Sequence, residues 1–293
     1  MENACPTNTP ADLVCMLSNA KVLYLFLSSL CDGKRDQQVI CAVEEDGLVF
    51  TVHSRAKSLQ VKTSVPSELF DEYEIQHLSL DNTKIEFRVG LMTILDCICS
   101  YGNASLSSTS LQLSYTVHNA LLELVVEEQG IITECVLQTL VEEDQSQEIG
   151  VFEMAFEQHP VVAKLLIKTE ALRDAFVELS ELPQAATIIL SVQSSSCTSE
   201  ETWCFRMAAK GEATSCEIDF AASSPAVVEV WTSETIEVSY HLATLQSALK
   251  AVHFASESYM RINAEGMLSV QHMMEHANGI KGFIDALVSP EDK

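Results

Sequence analysis

Positive charge is what this sequence is shortest of. Lys and Arg number 17 against 42 Asp and Glu in 293 residues, a formal net charge of −25. Such a surface repels phosphate, which argues against a stand-alone nucleic-acid binder with a basic face. The placement of the few cations is then more informative than their sum. Glycine and proline are also scarce, at 10 and 7 residues, and the hydrophobic share is 47%. Packed cores are therefore expected and extensive disorder is not. No apolar run reaches the roughly 20 residues that span a bilayer, so no membrane association is expected. The longest candidate, VLYLFLSSL (22–30), sits between polar flanks. The opening MENACPTNTPAD has neither the basic start nor the apolar stretch of a secretion signal, which points to the cell interior.

Chemical fingerprints are missing as well. The 10 cysteines include no C-x-x-C, and Cys97 and Cys99 have the wrong spacing for a zinc knuckle. Most lie in apolar runs, where a thiol behaves as a small hydrophobe, so reduced, buried thiols are expected. No G-x-x-x-x-G-K-[ST], G-x-S-x-G or H-E-x-x-H occurs. His272 and His276 are four apart, but they fall in a strand-like pattern. No cofactor, metal site or catalytic residue is therefore expected.

What is present is periodicity. Apolar residues at i, i+3, i+4 and i+7 predict four short helices: Leu23, Phe26, Leu27, Leu30; Leu91, Ile94, Leu95, Ile98; Leu172, Ala175, Phe176, Leu179; and Leu245, Ala248, Leu249, Val252. Thr169 is placed to cap the third. Between them, β-branched residues alternate with period two, as in QVICAVEE, GLVFTVHS, SLQLSYTV, GIITECVLQ and GMLSVQHMM. Acidic turns ending in glycine, AVEEDGLVFTV (42–52), VVEEQGIITEC (125–135) and INAEGMLSVQH (262–272), join neighbouring strands. The order strand, helix, several strands, helix, three strands occurs twice, about 150 residues apart. It predicts an α+β protein of two similar domains, 1–137 and 151–293, each with two helices on one face of a mostly antiparallel sheet. The acidic stretch 138–150 is the expected linker. Strands near 130–137 and 214–220 are apolar enough to be edges that a partner covers.

Several segments together resemble the sliding-clamp family, the proliferating-cell-nuclear-antigen fold. FRVGLMTILDCICSYG (87–102), EALRDAFVELSEL (170–182) and GMLSVQHMM (266–274) are similar to the Rad-one subunit type of the heterotrimeric nine-one-one checkpoint clamp. The resemblance runs from about Asp12 to Val288. It implies a nuclear ring subunit with no enzymatic activity of its own, closed by edge strands shared with two other clamp-like subunits. It further implies loading by a checkpoint clamp loader, encirclement of double-stranded DNA without sequence preference, and recruitment of repair and signalling proteins. On that model the polar helix faces line the hole, and Lys21, Arg173 and Lys250 approach phosphates. The second helix offers only Thr93, Asp96 and Ser100. Leu137, Leu140 and Val141 in the linker region, with Met273, are the expected partner-docking residues.

Two other readings stand beside this one. A homotrimeric replication processivity clamp shares the fold. A 3′→5′ exonuclease would need carboxylates converging on metal ions about 4 Å apart. Glu44, Glu45 and Asp46 are consecutive and diverge in a strand or turn, as do Glu127 with Glu128 and Glu142, Glu143 with Asp144.

Overall fold

The computed structural model describes residues 11–54, 56–76, 85–140, 150–193, 203–275 and 279–291. The chain divides into two compact units, residues 1–50 with 64–143 and residues 51–63 with 144–293. The first contains β1 (Leu13–Leu17), α1 (Lys21–Leu30), β2 (Gln38–Glu44), β3 (Gly47–His53), β4 (Leu59–Pro66), β5 (Glu72–Ile75), β6 (Ile85–Gly90), α2 (Leu91–Ile98), β7 (Ser110–Thr116), β8 (Leu121–Glu128) and β9 (Ile131–Gln138). The outer part of the β3–β4 hairpin, residues 51–63, is counted with the second unit. That unit adds α3 (Val151–Glu157), β10 (Val161–Lys168), α4 (Thr169–Ser180), β11 (Thr187–Val192), β12 (Trp203–Lys210) and β13 (Ser215–Ala221). It continues with β14 (Val227–Thr232), β15 (Ile236–His241), α5 (Leu242–Ala248), β16 (Glu257–Asn263), β17 (Leu268–Glu275) and β18 (Lys281–Val288).

The strand orders make the duplication explicit. In the first unit the orders are β5-β1-β7-β8-β9 and β4-β3-β2-β6; in the second they are β14-β10-β16-β17-β18 and β13-β12-β11-β15. Each second-unit strand is the first-unit strand nine places earlier. The registered pairs are antiparallel throughout. α2 packs on β6 and β8, which belong to different sheets, and α5 likewise touches β15, β11 and β18. Every predicted apolar stripe faces inward: Leu23, Phe26, Leu27 and Leu30, for example, are at most 4% exposed.

Three elements escaped the periodicity. β5 is four residues long and two of them are Glu. β14 is only half-buried, so its alternation carries little contrast. α3 begins immediately after the acidic segment read as linker, and only Phe152 and Phe156 are buried in it. They pack on Leu287. Residues 141–149 of the expected linker lie outside the described residues. So do Val141, Glu142, Glu143, Asp144 and His276. Of the eight described cysteines, Cys15, Cys31, Cys41 and Cys204 are buried, whereas Cys97, Cys99, Cys135 and Cys216 are only half-buried. The expectation of burial holds for the first four alone, because the others lie on helix or edge-strand faces.

The acidic turns are structural corners. Gln129 and Gly130, with φ of 52° and 80°, make the two-residue turn from β8 to β9. Glu127 is exposed, but Glu128 is buried and accepts hydrogen bonds from Ser108 Oγ at 3.0 Å and Thr109 Oγ1 at 3.0 Å. Gly47 has φ of 146°, and a Cβ there would lie 2.1 Å from the Val65 carbonyl oxygen. Tyr73 donates its hydroxyl to the Glu44 and Gly47 carbonyls at 2.7 and 2.8 Å, strapping the turn down. The second unit repeats the device: buried Tyr240 donates to the Gly266 carbonyl at 2.7 Å.

Thr169 does not cap α4. It is the first helical residue, is 1% exposed, and its hydroxyl turns inward to Ser258 Oγ at 3.0 Å. Ser258 Oγ meets His272 Nδ1 at 2.8 Å, and His272 Nε2 faces the Ala248 carbonyl at 3.4 Å. Since a carbonyl only accepts, Nε2 carries the proton. Ser258 then donates to Nδ1, and Thr169 donates to Ser258. This chain ties the start of α4 and the end of α5 to β16 and β17.

Gly47→Ala lowers unfolding free energy by more than about 2 kcal/mol in urea titration, because backbone must move. Gly130→Ala, with nothing within 4 Å, costs about 1 kcal/mol for its positive φ alone. Burial pulls His272 down to about 4 from its ordinary 6.5. Between those values the unfolded chain takes up a proton that the folded chain refuses. Stability therefore falls as pH drops from about 6.5 towards 4, with no His272 contribution to the slope above that window. Melting curves across that range should show a shallower loss for His272→Gln than for the native chain.

Candidate functional site

The described helices present sparse charge. On α1 the exposed cation is Lys21. On α2 the exposed positions are Thr93 and Asp96, with Ser100 just beyond. On α4, Arg173 is half-buried and its guanidinium is held by Asp174 Oδ1 at 2.9 Å, with Glu170 at 3.9 Å. Glu178 is also exposed there, so the outward side of α4 carries more acid than base. Lys250 is exposed in the 3-10 turn Lys250–His253 that follows α5, and this turn packs against α4. Arg173 and Lys250 therefore stand on neighbouring elements of one unit, while Lys21 belongs to the other. Lys164, on β10, lies over the Trp231 ring at 5.5 Å instead of standing free.

The sheet edges have unlike chemistry. β9 ends its sheet and exposes Ile131, Ile132 and Val136 at 62%, 59% and 60%. β13 ends the four-stranded sheet of the second unit and exposes Glu217 and Asp219. Both bind Arg206, at 2.9 Å from Glu217 and 2.5 Å from Asp219, and Arg206 in turn lies over Trp203 at 4.5 Å. Both edges are segments that the sequence marked as edges, but the expected apolar character holds for β9 alone: the alternation of β13 puts Glu217 and Asp219 on the exposed side and leaves Cys216 and Ile218 half-buried.

Of the expected docking residues, Leu137 is half-buried on β9. Leu140 is 53% exposed and pairs through its backbone with Arg88, N to O at 2.9 Å. Met273 is half-buried on β17. Sequence reading missed a polar cavity of about 380 Å³ in the second unit, lined by residues that include Lys62, Glu153, Phe156, Arg261 and Asp285. Gln60 donates to Glu153 Oε1 at 2.6 Å, and Arg261 donates to Ser269 Oγ at 2.9 Å. Burial raises the Asp285 carboxyl, opposed by its hydrogen bond from Gln271 and by Lys62 and Arg261. The cavity had no sequence signal because its residues come from five separate segments. Among the described residues, no group of three or more His, Cys, Asp or Glu is arranged to hold a metal ion. Glu44, Glu45 and Asp46 are all exposed at the β2–β3 turn.

Comparison with known proteins agrees with this architecture. A family model described as "Repair protein Rad1/Rec1/Rad17" matches residues 12–274. The human "Cell cycle checkpoint protein RAD1" is 24% identical over 96% of this chain and 92% of its own length. The Schizosaccharomyces pombe "DNA damage checkpoint control protein rad1" is 25% identical over 86% of this chain and 80% of its own. Among solved structures, PCNA from Thermococcus kodakaraensis superposes with a TM-score of 0.71 at 16% identity, covering 95% of this chain and all of that one. A PCNA2–PCNA3 complex from Sulfolobus tokodaii gives 0.70 at 13% identity, over 95% of this chain and 99% of that one. The chain belongs to the Rad1/Rec1/Rad17 repair-protein family and is a checkpoint protein of the Rad1 type on a sliding-clamp fold.

Proposed function

We propose that the chain is a non-catalytic subunit of a heterotrimeric, ring-shaped checkpoint clamp that encircles double-stranded DNA at damage sites in the nucleus. There a checkpoint clamp loader places the ring, and the ring recruits repair and signalling proteins. The observation that carries this reading is the pair of unlike edges. Clamp-fold neighbours include a complex of two different clamp subunits. Here β9 presents an apolar edge that also bears exposed Glu134, whereas β13 presents Glu217 and Asp219. Joining β9 of one copy to β13 of another brings Glu134 onto an acidic strand, where like charges on paired strands destabilise. Two different partners relieve that conflict by β-strand addition at each edge.

Light scattering tests the assembly. The isolated chain is expected not to form a homotrimer, and to enter a stable 1:1:1 particle only with two other clamp-like chains. Ile132→Asp with Val136→Asp should weaken that particle at least about tenfold by placing charge in the apolar edge. A homotrimer of the isolated chain would instead support a replication processivity clamp.

In this reading Lys21, Arg173 and Lys250 contact phosphates, and the partners supply most of the positive potential. Replacing all three by Ala in the assembled ring should weaken DNA retention several-fold at low salt, with a shallower salt dependence. The non-catalytic reading is supported by the outward, solvated carboxylates at 44–46. Metal-dependent release of nucleotides that an acidic substitution abolishes would overturn it. Leu137, Leu140, Val141 and Met273 are the proposed docking residues. Leu140→Ser with Val141→Ser should reduce capture of a repair partner in a pull-down, and undiminished capture would remove them from the site.

A further inference from the structure

The duplicated sheets share a strand order but differ in charge. The strands of β5-β1-β7-β8-β9 contain no Lys or Arg and carry Glu72, Glu74, Glu123, Glu127, Glu128 and Glu134. Their counterparts β14-β10-β16-β17-β18 carry Lys164, Lys168, Arg261 and Lys281 against Glu229, Glu257, Glu275 and Asp285. The same strand order forms with either set, so the architecture does not require these cations. In a chain of net charge −25 they are a local exception.

Three of the cations stand among aromatic rings on one face. Along β10, Lys164, Leu166 and Lys168 alternate with buried Ala163, Leu165 and Ile167, which puts them on the solvent side. Lys164 is opposite both Trp231 and Arg261, and Leu166 is opposite Tyr259. Trp231 is 46% exposed, with the Lys164 ammonium 5.5 Å from its ring centre. The Arg261 guanidinium lies 5.3 Å from the Phe156 ring and 5.8 Å from the Tyr259 ring. Cations and rings therefore interleave across β14, β10, β16 and α3. Glu229 and Glu257 share this face, opposite Leu166 and Lys168.

We propose that this face binds single-stranded nucleic acid, with bases stacked on Trp231 and Tyr259 and phosphates beside Lys164 and Lys168. Every base has a ring face, so stacking between cations holds a strand without reading its sequence. An acidic peptide would satisfy the lysines and leave the rings unused. A duplex keeps its base faces stacked inside, out of reach of Trp231. A single strand uses both features. The two glutamates and the net charge of the chain oppose the association, so it forms at low salt and weakens steeply as salt rises. The surface stands on β10, β14 and β16 and does not rest on assembly of a ring.

Titrating the full chain with a short oligothymidylate at low salt provides the test, read by anisotropy of the labelled strand and by tryptophan fluorescence. Binding is expected to quench Trp231. Trp231→Ala should remove that quench and weaken binding about tenfold, while Trp231→Phe keeps most of the affinity because a ring remains. Lys164→Gln with Lys168→Gln should make the slope of log affinity against log salt shallower by about 1.4, the share of two phosphate contacts. Lys34→Gln, which removes a charge from the other unit, should leave the quench unchanged. Circular dichroism checks that each variant folds, and the native titration stands without them. The proposal is overturned if the native chain shows no binding, or if Trp231→Ala binds as the native chain does. It is equally overturned if polyglutamate displaces the strand at matched charge, which would mark an acidic-peptide surface, or if a duplex binds as tightly.

Discussion

A line of buried polar groups beneath the second-unit helices is the constraint on which their placement depends. Thr169, Ser258 and His272 donate in one consistent direction, from the start of α4 to the Ala248 carbonyl at the end of α5, which accepts. Each group is removed from water, so each requires its neighbour to avoid the cost of an unsatisfied buried dipole. Apolar packing alone would let the helices slide over the sheet. The hydrogen-bonded line fixes where they begin and end, and with that the elements bearing Arg173 and Lys250. A neutral His272 is part of the arrangement, because a second ring proton would confront the Ser258 hydroxyl with donor against donor.

The same economy governs the charges. Acidic residues are placed at turns and outer strand faces, and where one is buried, as with Glu128, hydroxyl groups satisfy it. Arg173 and Arg206 are each committed to carboxylates of their own chain. That leaves little cationic surface for phosphate, which fits a subunit whose ring partners complete the electrostatics. The edges follow one logic: β9 and β13 each end a sheet, and their unlike chemistry favours unlike neighbours over copies of the same chain.

How much was legible depended on contrast. The four apolar stripes are all buried, and the strands with strong alternation lie where periodicity put them. β14 and α3 were missed because half-burial or brevity blurred the period. Thr169 was misread because a hydroxyl at a helix start has two options, a free backbone N–H or a buried neighbour, and Ser258 sits 89 residues away in sequence. The edges at 130–137 and 214–220 were legible as strands that end a sheet, but the apolar character expected of both holds only for the first, since β13 exposes Glu217 and Asp219. The cavity around Arg261 and Asp285 was not, since α3 and strands β4, β16, β17 and β18 bring its residues together.

By itself the sequence determined the elements, the twofold repetition, the shortage of cations and the glycine corners, because each depends on neighbours within a few residues. Only the tertiary structure decided which strands end a sheet and which carboxylates are buried. It also decided which polar groups sustain the helices. These are pairings over long sequence separation, and the chain reports them only once the sheets have formed.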